Sequence, residues 1–100
     1  MSNNKQSNNK QESIDLLMAT HTFPGSFTFK VIGRAESDFR EVVLSTITRL
    51  AIDDEVPHTI RETSGGRHIA ITAEPTVESP EVVLEIYELL RELPGVVMLL

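Results

Sequence analysis

The stretch "PHTIRETSGGRHIAITAEP", residues 57–75, decides how this chain folds. Gly65 and Gly66 tolerate the positive φ that a two-residue hairpin turn demands, and the arms on either side are rich in isoleucine and threonine. With those glycines as the turn, Glu62 faces Ile69, Ile60 faces Ile71 and His58 faces Ala73. Thr63/His68, Arg61/Ala70 and Thr59/Thr72 then pair on the other side. The isoleucines of both arms fall on one face without adjustment, and such a face requires a cover.

The cover is written on both flanks. Downstream, "SPEVVLEIYELLRELPG" (79–95) reads as a helix capped by Ser79, with Pro80 at its first position and Pro94-Gly95 as its stop. Val82, Val83, Ile86, Leu89, Leu90 and Leu93 form its buried stripe, with Tyr87 at the margin. Glu81, Glu85, Glu88 and Glu92 form a solvated acidic ridge opposite. Upstream, "SDFREVVLSTITRLA" (37–51) places Phe39, Val42, Val43, Ile47 and Leu50 at helical spacing, with Ser37 as N-cap and Asp38 beside the positive end of the dipole. "DDEV" (53–56) is a solvated polar connection without the glycine of a calcium loop.

Earlier still, "FPGSFTFKVIG" (23–33) holds three of the four phenylalanines. Phe27, Phe29 and Val31 alternate with Thr28, Lys30 and Ile32, the period of a strand with one apolar face. Gly33 ends that strand. The chain closes on "VVMLL" (96–100), a last strand in which Val97 and Leu99 point one way and Val96, Met98 and Leu100 the other. The element order is βαββαβ. With right-handed crossovers this predicts an α+β ferredoxin-like plait: a four-stranded antiparallel sheet in the order 4-1-3-2 with two helices on one face. Strand 1 is then central, and Phe27 and Phe29 lie under both helices.

One hundred residues with 40% hydrophobic content fit one domain, expected over residues 13–100. The first dozen residues, "MSNNKQSNNKQE", carry no apolar side chain after Met1 and are expected as a disordered tail. Ser13 then caps a short helix bearing Ile14, Leu17 and Met18. The net charge of −6 repels phosphate backbones. The outward positions Thr28, Lys30, Ile32, His68, Ala70 and Thr72 include no aromatic residue, so an RNA-stacking platform has no surface and no nucleic-acid partner is expected. The absence of cysteine excludes a disulfide framework and a thiolate metal site, and points to the cytoplasm. No signal-peptide core and no apolar run near the roughly 18 residues of a membrane span is present, so no membrane role is expected. His21, His58 and His68 lie on different elements without ligand spacing, and no nucleophile motif stands out. No metal, no cofactor and no catalysis are expected.

What remains is a surface. Lys30, Arg61 and His68 share the open face of the sheet, and Gly33 and Arg34 close strand 1 beside them. These five are the candidate ligand- or partner-binding residues. The two-faced last strand requires a cover of its own, either the Ile14–Met18 segment folding across the open face or a second subunit in a weak homodimer.

"FPGSFTFKVIG", followed by a helix, a hairpin, a Leu-rich helix and a short apolar strand, resembles the YbeD-like family of small bacterial proteins of unknown function. The family pattern Phe-Pro-x-x-Phe-x-aromatic-Lys-Val-x-Gly is met by Phe23, Pro24, Phe27, Phe29, Lys30, Val31 and Gly33. The resemblance implies a βαββαβ domain similar to the ACT regulatory domains, which bind amino acids and control metabolic enzymes. It implies no known chemistry. ACT domains usually carry a glycine within Asp-x-x-Gly between strand 1 and helix 1; "GRAESDF" (33–39) departs from that pattern. Two functional readings follow. One is a regulatory module that binds a small-molecule effector or a protein partner. The alternative is a structural, self-associating protein acting through its sheet edge or open sheet face.

Overall fold

A computed structural model describes residues 2–36, 38–63 and 65–100, with side chains from Asn9 onward. The hairpin is built from β3 (His58–Glu62) and β4 (His68–Ala73), and its register is the expected one: His58 opposite Ala73, Ile60 opposite Ile71, Glu62 opposite Ile69. Gly65 and Gly66 take φ of +87° and +69°, and the Gly66 N–H donates to Thr63 O at 2.9 Å. Positive φ at both positions is where glycine's freedom is needed.

β4 pairs on its other edge with β2 (Phe29–Arg34), which pairs in turn with β6 (Val96–Leu99), giving one antiparallel sheet in the order β3-β4-β2-β6. Two helices pack on the same side of it, α2 (Phe39–Leu50) and α3 (Pro80–Arg91). Phe39, Val43 and Ile47 of α2 and Val83, Ile86 and Leu90 of α3 form one buried cluster with Phe29, Val31, Ile69, Ile71 and Ala73 of the sheet. Ser79 caps α3 as expected, its Oγ accepting from Val82 N at 3.4 Å, with Pro80 opening the helix. The expected cap Ser37 lies outside the described residues. Asp38 occupies the cap position of α2 without a side-chain hydrogen bond.

Several expectations need correction. The single sheet is accompanied by a separate two-stranded ribbon, β1 (Gly25–Ser26) against β5 (Thr76–Val77). Strand 1 therefore begins at Phe29, and Phe27 sits before it, its N–H donating to Pro75 O at 3.0 Å. The ribbon is pinned by Asp53, whose carboxylate accepts from Thr76 N at 2.6 Å and from Thr76 Oγ1 at 3.3 Å. Part of "DDEV" is thus an anchor and not a solvated connection. On α2, Val42 is exposed and Thr46 is buried in its place, its hydroxyl donating to Val42 O at 2.7 Å. That bond satisfies a polar group that would otherwise be costly in a core.

A third helix, α1 (Ser2–Thr20), replaces the expected tail and its short capped helix. Helical hydrogen bonds are local, so a polar segment can extend a helix whose far end is docked. Gln11 Nε2 donates to Asp15 Oδ1 at 2.9 Å, and Ser13, inside the helix and not at its cap, donates to Asn9 O at 3.0 Å. Ile14 is buried and Leu17 packs on the core cluster, so α1 leans on α3 and does not cross the open sheet face. Among the described residues, no helix is long and apolar enough to cross a membrane.

An aromatic group closes this end of the core. Phe27 and Phe29 lie with ring centroids 5.1 Å apart, Phe29 and Tyr87 4.9 Å apart at 63°, and His21 stands 4.9 Å from Phe27. Tyr87 donates its hydroxyl to Leu100 O at 3.4 Å, and burial of the ring raises its pKa above the ordinary value of 10.0. A raised folded-state pKa means that this contribution to stability is whole below about pH 10 and fades as the pH climbs through the folded value. Tyr87 is the only tyrosine and there is no tryptophan, so tyrosinate absorbance reads it directly. The native midpoint is expected above that in denaturant, and coincident midpoints would contradict the buried placement.

Candidate functional site

The open face of the sheet is organised by the same register. Lys30 stands opposite Thr72, which stands opposite Thr59; Ile32 stands opposite Ala70, which stands opposite Arg61; Arg34 stands opposite His68. Alternation along each strand puts all these side chains on the face away from α2 and α3. Four of the five predicted residues, Lys30, Arg34, Arg61 and His68, therefore share one surface. Lys30, Thr59, Arg61, Ala70 and Thr72 line a shallow depression of about 170 Å³. Neighbouring strands lie about 4.8 Å apart, so a single group with several oxygens can meet both cations and a threonine hydroxyl at once.

Gly33 does not belong to this surface. It lies within β2, not at its end, is buried on the core face, and has no positive φ. A Cβ built on it would collide with the tip of the Phe39 ring. Glycine stands there because an aromatic side chain needs the space, so the backbone approach that a ligand would use is already filled by the protein.

The last strand also departs from strict alternation. Pairing between β2 and β6 shifts at Ile32/Gly33: Met98 stands opposite Ile32 but Val96 opposite Gly33. The extra residue lets Val96 and Leu99 both pack on the core, while Val97, Met98 and Leu100 stay exposed. Lys30 and Leu100 exchange backbone hydrogen bonds of 3.3 and 2.9 Å, so Leu100 continues the open-face row of Lys30. The polar surface thus has an apolar flank, for which the only sequence signal was the two-faced "VVMLL".

A second depression, about 190 Å³, opens between Ala35, Glu36, Arg40, Glu62 and Ile69 and carries charges of both signs. The histidines stay apart. His58 Nδ1 lies 2.9 Å from Val56 O, His21 Nδ1 lies 2.9 Å from Thr20 Oγ1, and His68 faces Arg34. Among the described residues no three His, Cys, Asp or Glu side chains could together hold a metal ion.

Among the described residues, fold and surface together define a small α+β domain, three helices with antiparallel strands, and one uncovered sheet face carrying cations. The chain belongs to the YbeD-like family of small bacterial proteins. The family model described as "Protein of unknown function (DUF493)" matches residues 18–100. A UPF0250 protein of Shewanella piezotolerans is 38% identical over 74 residues, covering 74% of this chain and 83% of the relative. One from Vibrio parahaemolyticus is 36% identical over 78 residues, 78% of this chain and 84% of its own length. One from Neisseria gonorrhoeae is 35% identical over 79 residues, 76% and 87% respectively.

Proposed function

We propose that this chain is a non-catalytic regulatory module, similar in that respect to ACT domains, whose open sheet face receives an anionic effector or protein partner. One observation carries the reading: Lys30, Arg34, Arg61 and His68 share one face of a chain whose net charge is −6. A local cluster of cations on an acidic molecule makes a positive patch that steers anions and suppresses other approaches. The shallow depression offers donors in Lys30, Arg61, Thr59 and Thr72, and its openness suits a group presented on a larger body. The same reading treats residues 13–100 as one ferredoxin-like plait, supported by the strand order β3-β4-β2-β6 and by helices α2 and α3 on one side. A cytoplasmic setting accords with the lack of cysteine.

The test is an amide-shift titration with acetate, succinate, amino acids and inorganic phosphate. Saturable shifts are expected at Lys30, Thr59, Arg61 and Thr72 for the polyanions, weakened by salt and lost in Lys30→Glu. Shifts scattered over the surface, or unchanged in that variant, would sink the proposal.

A second reading, self-association, is favoured by Val97, Met98 and Leu100, which expose 56%, 49% and 57% of their surface on or beside the edge strand β6. Unpaired apolar edges recruit strands. Sedimentation over a wide concentration range decides it, with a dimer broken by Met98→Lys as the supporting result. Leu99 packs on the core cluster instead.

A further inference from the structure

The open face is divided along its length. Reading one row across the sheet gives Arg61, Ala70, Ile32 and Met98; the next gives Thr59, Thr72, Lys30 and Leu100. In both rows the β3 and β4 side is polar or small, and the β2 and β6 side ends in an exposed apolar residue, Met98 at 49% and Leu100 at 57%. Three strand spacings make the row about 14 Å wide. That is slightly more than the diameter of an α-helix with its side chains, roughly 10–12 Å.

We propose that this face binds an acidic amphipathic helix of another protein, lying along the strands. Its apolar stripe rests on Ile32, Met98 and Leu100, and carboxylates on one flank meet Arg61 and Lys30. The inference rests on the anion-receiving role of this face and adds the chemistry of the partner. Charge complementarity selects an acidic partner, since Lys30 and Arg34 on β2 and Arg61 on β3 all lie to one side of the apolar edge that Met98 and Leu100 form at β6. The adjacent apolar column selects a helix with an i, i+3, i+4 stripe over a purely acidic segment, because a polyanion would leave Met98 and Leu100 in water. The chain's own acidic helix fits poorly. Glu81, Glu85 and Glu88 of α3 and Glu92 at its C-terminal cap are exposed, but its apolar residues Val83, Ile86 and Leu90 are committed to the core.

The experiment is a random-peptide display selection against the immobilised full chain, using helix-forming peptides on the order of three to four turns. Peptides enriched in Glu or Asp beside Leu, Ile or Met at helical spacing are expected. Their binding is expected to fall about tenfold or more in Arg61→Glu and, separately, in Met98→Lys, with salt sensitivity reduced only in the first. Unchanged melting temperatures establish that both variants remain folded. Selected peptides lacking acidic residues, or indifferent to Met98→Lys, overturn the inference, as does the recovery of no peptide. So does a concentration-dependent dimer abolished by Met98→Lys, which would make a second copy the occupant. If small polyanions still bind at Lys30 and Arg61 while peptides ignore Met98, the anion-receiving role stands and only the amphipathic partner fails.

Discussion

Gly33→Ala is expected to destabilise the protein by about 1–3 kcal/mol, the range for overpacking a well-packed core. For a domain of this size that lowers Tm on the order of 10 °C. Gly33 adopts ordinary strand geometry, so an alanine meets no backbone penalty, and by propensity alone the change would be mildly favourable. The cost comes from Phe39. Its ring covers Gly33 on one side, and on the other it lies near Gly95, where an added Cβ would stand 3.4 Å from Cδ1. Phe39 opens α2 and is 4% exposed, so the ring has little room to retreat. Phe39→Leu should offset part of the loss in the Gly33→Ala background, and a double-mutant cycle should give a coupling above about 0.5 kcal/mol. A neutral Gly33→Ala, or strict additivity with Phe39→Leu, would refute the ring-over-glycine account. If Gly33→Ala were stable but blind to small anions, the glycine would instead belong to the binding surface.

Gly33 also marks the limit of what could be read from sequence. The hairpin was legible because two glycines fix the turn and a two-residue period fixes every later pair, leaving the register of β3 and β4 no freedom. From that register the shared face of Arg61 and His68 follows directly, and the alternation of Phe29, Lys30 and Val31 adds Lys30 to it. The helix α3 was equally legible, its cap, first-position proline and stop all coinciding with one apolar stripe. What stayed hidden lacks a period. The ribbon of Gly25–Ser26 with Thr76–Val77 is two residues long, and its anchor, the Asp53 to Thr76 bond, joins positions 23 apart in sequence. The bulge in β6 turns Val96 and Leu99 to the same side, which no alternation rule anticipates. The role of Gly33 depends on where one distant ring lands. A glycine at a strand end and one beneath an aromatic look alike until the helix is docked.

The opening half of the aromatic run is different, because there two phenylalanines of similar pattern separate sharply in environment. Phe29→Ala is expected to cost about 3–5 kcal/mol, the range for truncating a fully buried phenylalanine, out of a total that for domains is only about 5–15 kcal/mol. Phe29 has no exposed surface and touches both Phe27 and Tyr87 at about 5 Å between centroids. It sits on the central strand β2, so the hole cannot close by moving an edge. Phe27 precedes the strand, is only partly buried, and rests against His21. Phe27→Ala should therefore cost distinctly less. The two variants also differ in a signature independent of stability. Burial holds the Tyr87 pKa up, and removing the neighbouring Phe29 ring admits water to the phenol, so the tyrosinate midpoint should fall back toward 10 in native Phe29→Ala. Folded protein at the start of the titration is verified by circular dichroism, since a chain already unfolded would give the same midpoint. A Phe27→Ala variant more damaging than Phe29→Ala would move the centre of the core away from β2, and an unmoved Tyr87 midpoint in folded Phe29→Ala would place the cause of its burial on its other neighbours, the Phe27 ring and the end of the chain at Leu100.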